Sequence, residues 1–177
     1  LCTDVLRGWA DRLQAAGIDA RCEGSGPLLV MADADRIRQV LDNLVGNALD
    51  ALCESGRGDR RMVVTTRREE ESAVLEVKDN GAGLAPETRS KAFDPFFTTK
   101  DHGTGLGLSI CYEIIQSHEG DLRLEDDLNG GARATVRLPL GDSVRSNGPE
   151  GIEPSGIEPQ SNGEAHLAAD QVQPRTV

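Results

Sequence analysis

Apolar residues recur along the chain in two rhythms, one of three to four residues and one of two. Val5, Leu6, Trp9, Leu13 and Ala16 keep the helical rhythm behind Thr3, a residue suited to N-capping, and Gly17 ends the run. Residues 18–22 and 28–31 read as short strands on either side of the turn-rich segment 23–27, which predicts a hairpin. Ile37, Val40, Leu41, Leu44, Val45, Ala48, Leu49 and Leu52 then make the strongest stripe in the chain, the buried face of a long helix. Residues 62–66 and 74–78 predict a second hairpin with a charged tip at 67–72. From 79 to 104 the pattern dissolves into Gly, Pro, Thr and charge, so a long loop is expected. Leu106, Ile110, Ile114 and Ile115 restore helical spacing up to Gly120, the expected C-terminal cap. Residues 122–125 and 132–138 close the pattern as strands around Asn129, Gly130 and Gly131.

The core is therefore expected to end near Leu140, giving one domain over 1–140. Residues 141–177 are rich in Gly, Pro, Ser, Asn and Glu, repeat GIEPS as GIEPQ, and hold too few large apolar side chains to pack. A disordered tail is the expectation. The formal net charge of −11 argues against a general grip on nucleic acid or an anionic membrane. Any anionic ligand must be held by aimed N–H groups, a few placed cations and a metal. Cys2, Cys22, Cys53 and Cys111 show no paired spacing, which predicts reduced thiols rather than a disulfide framework or zinc site. With no apolar run of membrane-spanning length and no signal-like start, the chain is expected to be cytoplasmic, and its start at Leu1 suggests a piece of a longer protein.

Four segments carry candidate chemistry. Gln39, Asn43, Asn47 and Asp50 share the long helix's polar face at intervals of three and four. A carboxamide oxygen suits Mg²⁺, which shares its coordination with water and phosphate, so Asn47 is the candidate metal ligand. A plain solvated face would look the same. In DNGAG, Asp79 ends a strand while Gly81 and Gly83 permit close approach to a flat ligand. Its carboxylate is the candidate acceptor for the adenine amino group, though an ordinary Asx turn shares the pattern. In GTGLGLS, which spans Gly103, Thr104, Gly105, Leu106, Gly107 and Leu108, alternating glycines run into a helix start, a natural phosphate site. Lys100 just upstream offers a mobile charge for the γ-phosphate. Neither a Walker A loop nor a dinucleotide fingerprint fits these spacings. In KAFDPFFTTK, the three phenylalanines Phe93, Phe96 and Phe97 sit inside the loop, as lid anchors, a docking surface or plain core.

In this order, NLVGNA, DNGAG, FDPFF and GTGLGLS closely resemble the N box, first glycine box, F box and second glycine box of two-component sensor histidine kinase catalytic domains. The phrase FDPFFTTK with GTGLGLS resembles the nitrogen-regulation and dicarboxylate-sensing subgroups. The resemblance implies an α/β fold, a two-layer sandwich with a mixed sheet covered by helices on one face and a long ATP lid. It also implies ATP and Mg²⁺ as ligands, with Asn47 on magnesium, Asn43 in support, Asp79 on adenine and Gly103 to Gly107 on phosphate. The hydrolytic relatives carry a glutamate where this chain has Asn43, so γ-phosphoryl transfer to a histidine on a separate dimerisation domain is expected, followed by relay to a response regulator receiver domain. Asp42 does not restore hydrolysis, lying about 100° around the helix from Asn43. Two departures stand out. His102, His118 and His166 offer no phosphoacceptor segment, and Asp50 replaces the Lys or Arg many members place near the phosphates. A degenerate nucleotide-binding module and a serine kinase of the anti-sigma-factor type are the alternatives, the latter disfavoured by FDPFF.

Overall fold

A computed structural model of the chain describes residues 1–24, 26–100, 103–127, 130–141 and 175–176. The N-terminal stripe forms two short helices, α1 (Cys2–Gly8) and α2 (Ala10–Ala15), rather than the single one expected. Gly8, a poor helix former, precedes the break at Trp9. Thr3 is not the cap: Leu1 holds that position, and the Thr3 hydroxyl donates to Cys22 Sγ at 3.8 Å.

The 18–31 hairpin does not form. Strand β1 (Asp19–Gly24) runs parallel to β3 (Arg61–Glu69), while β2 (Leu29–Val30) leaves the sheet and pairs antiparallel with β7 (Arg175–Thr176). The crossover between β1 and β3 contains α3 (Ala34–Glu54), the long helical connection that a parallel pair needs. β3 and β4 (Ser72–Asp79) form the expected antiparallel hairpin, and β5 (Asp121–Asp126) and β6 (Ala132–Pro139) complete a mixed sheet in the order β1-β3-β4-β6-β5. The expected loop holds one short helix, α4 (Pro86–Lys91), with proline in its first turn. Helix α5 (Gly107–Ser117) follows it.

Strand alternation sends Met62, Val64, Leu75, Val77, Leu122, Ala134 and Val136 into one core with Ile37, Val40, Leu41, Leu44 and Leu52 of α3 and Cys111, Ile114 and Ile115 of α5. The helices therefore cover one face of the sheet. On the opposite face Glu76 is only 5% exposed, paired with Arg67 at 2.9 Å and Lys78 at 3.3 Å. Burial alone would raise its pKa, but Arg67 and Lys78 outweigh that and hold the carboxyl below the usual range.

Two helix ends have a visible cause. Asp33 caps α3, accepting from the N–H groups of Asp35 and Arg36 at 2.9 and 3.2 Å, and its own N–H donates to His118 Nε2 at 3.1 Å. Beyond α5, Glu119 rather than Gly120 takes the left-handed turn, with φ of 56°. Gly120 is required for another reason: a Cβ there would lie 2.4 Å from the Arg137 carbonyl. Of the tail expected over 141–177, residues 142–174 and Val177 lie outside the described residues.

Candidate functional site

The polar face of α3 is the spine of the site. Asn43, Asn47 and Asp50 are each half-buried along it, and Asn43 Nδ2 donates to the Gln39 carbonyl at 3.0 Å. That bond leaves Asn43 Oδ1 to meet the start of α5, where a Cβ on Gly107 would lie 2.9 Å from it. The first turn of α5 has no side-chain cap, so its N–H groups project beside Asn43. One turn further along α3, Lys100 Nζ lies 3.0 Å from Asn47 Oδ1 and 2.6 Å from Asp50 Oδ2. Two hard oxygen donors thus converge on one cation, the donor chemistry that Mg²⁺ takes. Among the described residues no group of three or more His, Cys, Asp or Glu could hold a metal by itself.

Beyond Asp50, the first glycine loop closes on α3. A Cβ on Gly81 would meet the Ala51 carbonyl at 3.0 Å and Asp79 Oδ1 at 2.9 Å. Asp79, 8% exposed, accepts through Oδ1 from the N–H groups of Gly81 at 2.8 Å and Ala132 at 3.2 Å. Its Oδ2 has no hydrogen-bond donor among the described residues. Burial pushes its pKa above the ordinary carboxylate range against the two N–H bonds, with the Asp127 charge adding to the rise. Gly83 turns with φ of 78°, and Asp126 on β5 accepts from Leu84 N–H at 2.8 Å and pairs with Arg89, tying the loop to the sheet.

The F box and second glycine box are strapped together. Phe96 N–H donates to the Gly105 carbonyl at 2.9 Å, and Gly105 has φ of 69° with Phe96 backbone so near that a Cβ would lie 2.4 Å from its carbonyl carbon. Phe96 itself takes φ of 68° and stands 74% exposed, whereas Phe93 stacks on Tyr112 of α5 at 5.3 Å and Phe97 is half-buried. Gly103 N–H donates to the Lys100 carbonyl at 3.2 Å, and Thr104 Oγ1 accepts from Leu106 N–H at 3.4 Å. Leu106 is half-buried, and Leu108 packs against the core. His102 lies outside the described residues.

Trp9, Arg12, Gly46 and Asp126 of this region were not singled out by chemistry in the sequence. An open groove of about 530 Å³ runs beside Asn43, Asn47 and Asp50 to Trp9 and Arg12. Trp9 Nε1 donates to Asp42 at 2.8 Å, and its ring covers Gly46, where a Cβ would lie 3.2 Å away. A glycine inside a strong helical stripe was the available signal for that contact. No pattern signalled Asp126.

The family model described as histidine kinase-, DNA gyrase B- and HSP90-like ATPase matches residues 32–142. The chain is 39% identical over 140 residues to the C4-dicarboxylate transport sensor protein DctB of Pseudomonas aeruginosa, covering 77% of this chain and 22% of that protein. It is 43% identical over 118 residues to the sensor protein FixL of Bradyrhizobium diazoefficiens, covering 66% and 23%. The catalytic domain of histidine kinase ThkA has the same fold, with a TM-score of 0.70 at 35% identity over 78% of this chain and 90% of that one. Full-length ShkA in complex with AMPPNP gives 0.70 at 27% identity over 80% and 30%. The chain spans about a fifth of the length of the curated relatives it matches. The chain belongs to the histidine kinase-, DNA gyrase B- and HSP90-like ATPase family, as the ATP-binding catalytic domain of a sensor histidine kinase.

Proposed function

We propose that this domain lays Mg–ATP along the polar face of α3 and passes its γ-phosphoryl to a histidine on a separate dimerisation domain. The carrying observation is the linear order along that face: Gly107 against Asn43, Lys100 between Asn47 and Asp50, then Gly81 against Ala51 with Asp79 bonded to Gly81. Asn43 and Ala51 are eight residues apart, about 12 Å of helix, on the scale of an extended nucleoside triphosphate. Asp79 Oδ2 accepts from the adenine amino group, with Gly81 and Gly83 admitting the ring. Backbone N–H groups from Gly103 through Leu108 face the phosphates, Thr104 and Leu106 lying within that run, and Lys100 reaches the γ-phosphate. Asn47 would hold Mg²⁺, which when bound neutralises phosphate charge.

Asn43 is a neutral amide and leaves water without a base at the γ-phosphate end. An acceptor imidazole nitrogen therefore forms the new bond to phosphorus as the bridging P–O bond breaks and ADP leaves. Phe93 anchors the lid to α5, and exposed Phe96 faces the acceptor domain. The response regulator ThkA–TrrA complex, in which a kinase of 32% identity is bound to its regulator, supports a receiver domain as the next partner. In this reading 1–140 is the catalytic unit, 141–177 an appended tail, and the domain works in the cytoplasm; among the described residues no helix is long and apolar enough to cross a membrane.

Calorimetric titration with a non-hydrolysable ATP analogue should give Mg²⁺-dependent binding. Radiolabelled Mg–ATP with an added histidine-bearing dimerisation domain should give acid-labile phosphate on that domain. A folded chain that binds no nucleotide, or that releases free phosphate while leaving the acceptor unlabelled, overturns the proposal.

A further inference from the structure

Lys100 Nζ, 3.0 Å from Asn47 Oδ1 and 2.6 Å from Asp50 Oδ2, marks a cation position between two oxygens one turn apart on α3. Both charged side chains are accessible, with side-chain exposures of 35% for Lys100 and 42% for Asp50, so a ligand can reach and replace either partner. We propose that Asp50 makes the site select the metal-loaded nucleotide, so that the domain takes Mg–ATP in strong preference to free ATP. This rests on the reading that Asn47 faces the metal of a bound nucleotide.

The argument is one of charge matching. Free ATP has two ways to approach. It can draw Lys100 away, which leaves a bare carboxylate beside its own phosphates, or it can leave Lys100 with Asp50 and keep its full charge unmatched. The other cations along the groove are engaged or distant: Arg12 lies over the Trp9 ring at 4.3 Å, and Arg38 lines the groove about three turns of α3 from Asp50. Mg–ATP brings its own cation to the two oxygens, which takes over the ammonium's role and frees Lys100 for the phosphates. A basic residue at position 50 would act in the opposite sense, attracting phosphate whether or not a metal came with it.

The test is the ratio of affinities for a non-hydrolysable ATP analogue with Mg²⁺ and in EDTA, measured by calorimetry for wild type, Asp50→Asn and Asp50→Lys. Adenosine affinity serves as the report on fold. The ratio should be large in wild type, fall about tenfold in Asp50→Asn, the scale of one accessible charge facing a divalent ion, and fall further in Asp50→Lys, with adenosine binding unchanged. A ratio unchanged by both substitutions overturns the role of Asp50 and leaves the Asn47 reading standing. A wild-type ratio near one overturns both. A second readout needs no nucleotide: Lys100→Met vacates the cation position and should strengthen binding of Mn²⁺ alone, followed by electron paramagnetic resonance, and adding Asp50→Asn should remove the gain. Equal Mn²⁺ binding in wild type and Lys100→Met contradicts the proposal.

Discussion

Replacing Asp79 with asparagine separates affinity from stability. Asp79 Oδ1 already accepts from Gly81 and Ala132 N–H groups, and an asparagine oxygen can keep both bonds. The change falls on the other atom, Oδ2, which has no donor among the described residues; under the proposed reading it accepts from the adenine amino group, and an NH₂ there sets donor against donor. A lost hydrogen bond with an unsatisfied buried donor costs about 1–3 kcal/mol. A central value of about 2 kcal/mol is roughly a thirtyfold loss of affinity. Stability should move differently, because burial lifts the Asp79 pKa in the folded state. A carboxyl whose folded pKa exceeds its unfolded one contributes stability that is fully present below the unfolded pKa and lost as pH rises through the folded value. At neutral pH the wild type therefore carries this penalty and Asp79→Asn does not. Calorimetry with Mg–ATP analogue and with adenosine should show parallel losses for the variant, while its melting temperature at pH 7 is equal or higher and its stability falls less between about pH 4 and 7. Wild-type adenosine affinity in the variant, or an affinity loss that follows a lowered melting temperature, would refute the assignment.

Gly105→Ala forces a left-handed φ on alanine, about 1–2 kcal/mol, and drives a methyl into the Phe96 backbone, so nucleotide affinity should fall at least about tenfold and the melting temperature by several degrees; calorimetry showing wild-type affinity would sink the strap's importance. Leu52→Ala empties a fully buried position and should lower unfolding free energy by about 2–5 kcal/mol in denaturant titration. A loss below about 1 kcal/mol would contradict its place in the core. Glu76 has its folded pKa lowered, so its stabilisation is present above the unfolded pKa and disappears as pH falls through the folded one. Glu76→Gln should accordingly unfold less steeply in acid than wild type, and identical acid profiles would count against the Arg67–Glu76–Lys78 pairing.

Elements whose cause is local were legible in the sequence. The α3 stripe and the β3–β4 hairpin follow from spacing and turn chemistry within a few residues. The parallel pairing of β1 with β3 was not, because alternation says which residues face the core and nothing about which strand lies alongside. Helix α4 was hidden by its charged composition, although Pro86 in its first turn was a start signal. The same division holds at the site. Asn43, Asn47, Asp79 and the glycines stand in short motifs, but the Lys100–Asp50 pair joins residues fifty positions apart and the Trp9–Asp42 bond joins residues thirty-three apart. No window of sequence contains either pair.

The parallel strand at the sheet's edge also decides where this domain may be cut. The family match begins at residue 32, yet β1 lies before it and shields the β3 edge through six paired residues, and α1 and α2 contribute buried Cys2, Val5 and Leu13 to the core. An excised fragment that started at the motif boundary would keep every candidate ligand-binding residue and lose the outermost strand. Its new border would be the nine-residue β3, whose backbone N–H and C=O groups would face solvent beside buried Met62 and Val64, the form of edge that recruits another copy of itself. The smallest unit that stays dispersed is therefore larger than the smallest unit that carries the chemistry.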